Sequence, residues 1–146
     1  MPELGHVVFY VHNLQRSVDF YRDVVGLTFK GKIFNGRAGM LTGGRTHHEI
    51  LLIEVGDAPG PLQGNRIGLY HTGWKIGESL DELRAKKTQL QQLGYSIDGQ
   101  SDHTVSQSLY LRDPDGNEVE LFVDDPSYDW HNREDWMEAP VLPLKL

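Results

Sequence analysis

Two histidines and one glutamate carry the strongest chemical signal in this chain. Seven histidines are present, at positions 6, 12, 47, 48, 71, 103 and 131. One histidine in a strand is ordinarily a packed or a solvated side chain, so the signal lies in the set. His6 and His71 fall at matching points of two half-patterns that share an order of elements though little sequence identity, 65 residues apart. Glu120 falls in the last strand-like run, where Glu118 and Glu120 alternate with Val119 and Leu121 and so share one face. Carboxylates flanked by apolar residues are costly to bury unless paired or bound to a cation. Two imidazoles and one carboxylate leave about three open positions on an octahedral metal, an arrangement that suits Fe(II) and that Mn(II) also accepts. Without the histidines, the two glutamates would read as an exposed edge strand.

Further candidates surround that set. In the run from His48, the residues His48, Ile50, Leu52 and Glu54 share one face by strand parity, so His48, Glu54 or both should point toward the metal. Tyr110 lies ten residues before Glu120, across a turn, and parity alone does not place it. His103 reads as a loop residue and His47 as a solvated one.

The elements that must position these groups are legible from periodicity. Residues 6–11 form a strand pattern rich in β-branched and aromatic residues. Leu14, Val18, Tyr21, Val24 and Val25 recur at helical spacing after Asn13, a candidate N-cap, and Gly26 stops the helix. Strand-like runs follow over 27–34, 37–41 and 49–55, with Asn35-Gly36 as a hairpin turn. Residues 56–66 are the richest Gly/Pro stretch and read as a linker. The pattern then restarts: a strand over 67–76, and a helix over 79–93 with Ser79 and Glu82 in a capping-box arrangement. A short strand over 95–97 follows, then strands over 104–111 and 118–123 joined by the dense turn Asp113-Pro114-Asp115-Gly116-Asn117. The order strand, helix, three strands thus occurs twice, which predicts an α+β domain over 1–146 built from half-modules of about 1–55 and 67–123. The tail, 124–146, with Trp130, Trp136 and three prolines, is expected to wrap the domain rather than join a sheet.

Composition narrows the function classes. The formal net charge is −7, and a nucleic-acid binder needs the opposite sign to displace counterions from phosphates. There are no cysteines, which removes disulfides, thiolate zinc sites and cysteine nucleophiles together. No apolar run reaches the roughly 18 residues of a membrane span. The first residues lack the basic and apolar regions of a signal peptide, so a cytoplasmic location is expected.

Several stretches together resemble the vicinal oxygen chelate (glyoxalase/bleomycin resistance/dioxygenase) superfamily, and within it the single-domain type I extradiol, catechol 2,3-dioxygenase-like enzymes. They are Gly5-His6-Val-Val-Phe-Tyr-Val, Phe20-Tyr21-Arg22-Asp23-Val-Val-Gly26-Leu27, His47-His48-Glu-Ile-Leu-Leu, Leu69-Tyr70-His71, and the run from Asp102-His103 through Tyr110 and Asp113-Pro-Asp-Gly-Asn117 to Glu120-Leu-Phe. The resemblance implies two βαβββ half-modules forming a curved, mixed sheet around a metal site. It implies His6, His71 and Glu120 as ligands of Fe(II), His48 as the acid–base residue, Tyr110 as a hydrogen-bond partner of bound substrate, and His103 near the oxygen pocket. The implied reaction is cleavage of a catechol ring beside its two hydroxyls by O2, with a homo-oligomer expected of a single-module chain.

Two rivals share the fold. A glyoxalase-like isomerase or lyase would use four ligands, His6, Glu54, His71 and Glu120, with Ni(II) or Zn(II). His48 and Tyr110, which such an enzyme does not need, weigh against it. An acidic antibiotic-binding protein of the same superfamily would suit the net charge, but nothing in it would keep three ligand residues aligned.

Overall fold

The computed structural model describes all residues, Met1–Leu146. Its elements are β1 (Val7–Val11), α1 (Leu14–Phe20) continued by a π-helical turn (Tyr21–Val25), β2 (Thr28–Ile33), β3 (Ala38–Thr42), β4 (Ile50–Glu54), β5 (His71–Gly77), α2 (Leu80–Gln92), β6 (Gly99–Asp102), β7 (Ser106–Arg112), β8 (Glu118–Asp124) and a short 3-10 turn (Asp135–Glu138). They form an α+β fold with two four-stranded sheets, ordered β1-β4-β3-β2 and β5-β8-β7-β6. The chain divides into two compact units: Met1–Ile67 with Asp113–Asn117, and Gly68–Arg112 with Glu118–Leu146. No helix is long and apolar enough to cross a membrane.

In the first unit β1 runs parallel to β4, and β3 pairs antiparallel with β4 and β2. Asn13 caps α1 by accepting from the Arg16 amide at 2.9 Å. The predicted helical stripe is the buried one: Leu14, Val18, Tyr21, Val24 and Val25 all lie in the core, against a sheet face that contributes Val11, Leu41, Ile50 and Leu52. The helix ends as expected at Gly26, whose φ of +96° costs glycine little. The turn at Asn35-Gly36 is also found, with both residues at positive φ. In the last part of this unit, Asp113 is buried and accepts from the Asp115 and Asn117 amides, each at 2.9 Å. It also accepts from the Tyr21 hydroxyl at 2.8 Å. The dense turn signal therefore marks a knot of hydrogen bonds around one buried carboxylate.

In the second unit β5 runs parallel to β8, and β7 pairs antiparallel with β8 and β6. The alternation in β8 is strict: Val119, Leu121 and Val123 are buried, and Glu118, Glu120 and Phe122 sit on the other, partly exposed face. Ser79 caps α2 at the Glu82 amide. Glu82 reaches back to the Glu78 amide at 2.6 Å and the Ser79 hydroxyl at 3.1 Å, a variant of the expected capping box.

Three expectations are corrected here. The strand expected over 67–76 begins only at His71, because Gly68 takes a φ of +137° and leaves Ile67, Leu69 and Tyr70 exposed. Residues 95–97 form no strand. The edge strand is instead Gly99–Asp102, a polar run with no hydrophobic alternation to reveal it. The tail does join the sheet at one point: Leu142 bridges Asp102, with the Leu142 amide on the Asp102 carbonyl at 2.6 Å and the reverse bond at 2.9 Å. Leu144 then packs with Leu83, Leu109 and Val123.

Candidate active site

The second unit assembles the larger share of the candidate residues. Glu120 lies directly across from Tyr110 on β7 and from Gly73 on β5. A side chain at Gly73 would begin 3.4 Å from a Glu120 oxygen, so glycine keeps that side of the carboxylate clear. Glu120 Oε1 accepts from the Ser108 hydroxyl at 2.5 Å and from the Tyr110 hydroxyl at 3.2 Å. His103 Nε2 stands 2.7 Å from the Tyr110 oxygen. A phenol has one proton. With Tyr110 donating it to Glu120, His103 Nε2 must be the donor to Tyr110. Burial first, then the charge of Glu120, pushes the Tyr110 phenol above its usual value, so it stays a donor through the neutral range.

His71 is held between two carboxylates. Its Nδ1 lies 2.9 Å from Glu118 Oε2 and its Nε2 lies 3.1 Å from Glu120 Oε2. When Nδ1–H donates to Glu118, Nε2 turns a lone pair toward an anionic oxygen. Such a pair of lone-pair atoms needs a proton or a cation between them. Two neighbouring ligands at right angles, each roughly 2.1 Å from a metal, stand about 3.0 Å apart. His71 and Glu120 therefore fit a shared divalent ion, with Glu118 fixing the tautomer. No three His, Asp or Glu side chains are gathered as a ready-made metal group in the structure.

The first unit brings together His6, His47 and His48. The rings of His6 and His48 are 4.6 Å apart, and His47 Nδ1 lies 2.6 Å from His48 Nδ1. Burial, then His47 and His6, pushes His48 below the usual histidine value. Its loop is fixed by Glu49, which accepts from the amides of Gly43 at 2.6 Å, Arg45 at 3.1 Å and Thr46 at 3.2 Å.

The face expected for Glu54 is corrected. Ile50 and Leu52 are fully buried on the side of β4 against which α1 packs. Glu54 continues that side, and its Oε2 accepts from the Leu14 amide at 2.8 Å. The carboxylate thus serves an otherwise unpaired donor at the start of α1. His48 precedes the first ladder residue of β4, so strand parity does not extend to it. The two ladders can be compared directly. In the second unit, His71 pairs with Glu118 and Glu120 lies two residues on. In the first, the ladder begins at Val7–Ile50; carrying its register one residue back would set His6 against Glu49, with Leu51 two residues on. The counterpart of Glu120 is Leu51, an apolar residue.

Ser108 joins the site without having been among the residues expected there. Its signal is strand parity: it stands two residues before Tyr110 and so shares its face.

A family model, the Glyoxalase/Bleomycin resistance protein/Dioxygenase superfamily, matches residues 3–121, and the chain belongs to this superfamily. It is 32% identical over 127 residues to a catechol-2,3-dioxygenase of Bacillus subtilis (strain 168), a match covering 87% of this chain and 43% of that protein. It is 31% identical over 150 residues to a biphenyl-2,3-diol 1,2-dioxygenase 3 of Rhodococcus globerulus, covering 97% of this chain and 76% of that one. The chain therefore spans under half of the first relative and about three quarters of the second. The crystal structure of a lactoylglutathione lyase from Agrobacterium tumefaciens matches with a TM-score of 0.62 and 26% identity, over 83% of this chain and 92% of that chain.

Proposed function

We propose that the protein is an extradiol dioxygenase that cleaves the aromatic ring of a catechol-type substrate with O2, using one Fe(II) held by His6, His71 and Glu120. The observation that carries this reading is the contrast between Glu120 and its counterpart Leu51. Each unit offers a histidine, but only one offers a carboxylate at the matching register. Three protein ligands leave open positions for a chelating diol and O2, whereas a fourth would fill one of them. The relatives named as dioxygenases of vicinal aromatic diols support the same reading.

Bound at these ligands, the metal would supply a Lewis-acidic template and an electron path between diol and O2. The side chains supply the rest. Glu118 holds His71 in the tautomer that frees Nε2. Tyr110, kept protonated, would turn its one proton from Glu120 Oε1 to a substrate oxygen, while His103 goes on donating to the phenol oxygen. His48, kept neutral near pH 7, is a base able to accept a diol proton and return it later. His103 holds the Tyr110 hydroxyl in place.

The isomerase reading keeps one point in its favour, the structural likeness to a lactoylglutathione lyase. Manganese in place of iron fits the same ligands. The experiment is anaerobic loading with Fe(II), addition of a panel of catechols, and admission of air. A yellow ring-opened semialdehyde is expected. No colour with any catechol, together with isomerisation of a methylglyoxal–thiol adduct by the Ni(II) or Zn(II) form, would replace this reading with the rival. A homo-oligomer in the cytoplasm belongs to the same proposal and is read by light scattering and cell fractionation.

A further inference from the structure

The turn that carries His103 is held by the chain's own tail. Thr104 sits at a φ of +71°, a conformation that costs a β-branched residue energy and persists only when its surroundings impose it. The turn's own bonds hold part of it, since the Thr104 amide donates to Asp102 Oδ1 and the His103 amide to the Ser106 carbonyl, each at 2.8 Å. The tail adds to them from both sides. On one side, Asp102 and Leu142 exchange two backbone bonds at 2.9 and 2.6 Å, and the Thr104 hydroxyl donates to the Pro140 carbonyl at 2.9 Å. On the other, the Asp125 amide donates to the Val105 carbonyl at 2.8 Å. Underneath, the buried amide of Gln107 donates to Asp102 Oδ1 at 3.1 Å and to Asp125 Oδ2 at 3.2 Å. Both ends of the segment 125–142 are thus tied to residues 102–105. That turn presents His103 Nε2 to Tyr110 at 2.7 Å.

We infer that the tail is a clamp for the site: segment 125–142 sets the position of His103 and, through it, the orientation of the Tyr110 hydroxyl, with Thr104 as the positioning residue. The kinetic part of this inference rests on the proposed ring cleavage; the positional part does not.

Thr104→Val tests it, because valine keeps the β-branch and the backbone strain while removing the hydroxyl. Thr104→Ser restores the hydroxyl. The primary readout is the side-chain nitrogen spectrum of His103 in the metal-free protein, with a thermal melt as the folding control. In Thr104→Val the signature of the His103–Tyr110 bond should weaken, and in Thr104→Ser it should return. Where Thr104→Val does not fold, Leu142→Pro, which deletes one amide donor from the exposed end of the clamp, is read the same way. In the active enzyme, kcat for a catechol should fall roughly 10- to 100-fold with little change in KM. An unchanged His103 spectrum in a folded Thr104→Val or Leu142→Pro protein overturns the clamp. Failure of the parent to cleave any catechol would count against the dioxygenase reading and leave the spectroscopic arm to decide the clamp.

Discussion

The Tyr110 hydroxyl faces the Glu120 carboxylate across the β7–β8 ladder at 3.2 Å, and the two residues are direct cross-strand partners. The register fixes this relationship. It ties a group that would meet substrate to a group that would hold metal, so whatever moves one is felt by the other.

Removing that hydroxyl should therefore slow catalysis without unfolding the protein. Tyr110→Phe is expected to lower kcat/KM for a catechol by about 10- to 100-fold, the worth of one hydrogen bond to a charged group. Because burial and Glu120 raise the phenol's pKa, the donor is present throughout the neutral range and is lost only under strongly alkaline conditions. The parent-to-variant ratio should then be flat between pH 6 and roughly pH 9. Steady-state kinetics across that range checks it.

In the proposed site, Glu118 would act on the metal through His71, whose Nδ1 it meets at 2.9 Å. Glu118→Gln keeps the shape of the side chain but no longer offers Nδ1–H an anionic partner. Metal affinity should fall by about 10- to 100-fold, as is usual when such a supporting carboxylate is lost. Anaerobic calorimetric titration with Fe(II) or Mn(II) would show it, and an unchanged affinity would mean that His71 is oriented by other contacts.

Glu54 belongs to the helix. Glu54→Ala should cost about 1 kcal/mol of stability, the usual effect of losing a side-chain acceptor at a helix start. Urea denaturation of the metal-free protein measures this. No loss would detach Glu54 from the role its bond to the Leu14 amide gives it.

Asp113 should matter more. Asp113→Ala leaves the buried Tyr21 hydroxyl without its acceptor and frees the Asp115 and Asn117 amides. A loss of roughly 3 kcal/mol is expected, because one carboxylate serves the buried Tyr21 hydroxyl and two partly buried amides at once. Tyr21→Phe should cost about 1–2 kcal/mol, since it removes one donor and strands none in the core.

The helix stripe Leu14 to Val25, the stop at Gly26, the Asn35-Gly36 turn and the shared face of Glu118 and Glu120 are all legible in the sequence, because each follows from local chemistry. Local chemistry does not carry register. Tyr110 faces Glu120 because the five-residue turn at Asp113–Asn117 aligns the strands, and no count within one strand contains that. Glu54 departs from expectation for a related reason. Parity correctly groups it with Ile50 and Leu52, but the pattern does not say which side of β4 the helix covers. The edge strand Gly99–Asp102 is hidden because it is polar. Gln100 donates to the Leu144 carbonyl and accepts from Lys87, so its strand is held by side-chain hydrogen bonds as well as by its ladder.

The metal content of single-ligand variants tests the three-ligand site most directly. Purified anaerobically and loaded with Fe(II), the parent should bind one ion per chain. His6→Ala, His71→Ala and Glu120→Ala should each lose it, and Glu54→Ala should keep it in full. Loss of the ion in Glu54→Ala, or its retention in any of the other three, would contradict the three-ligand site.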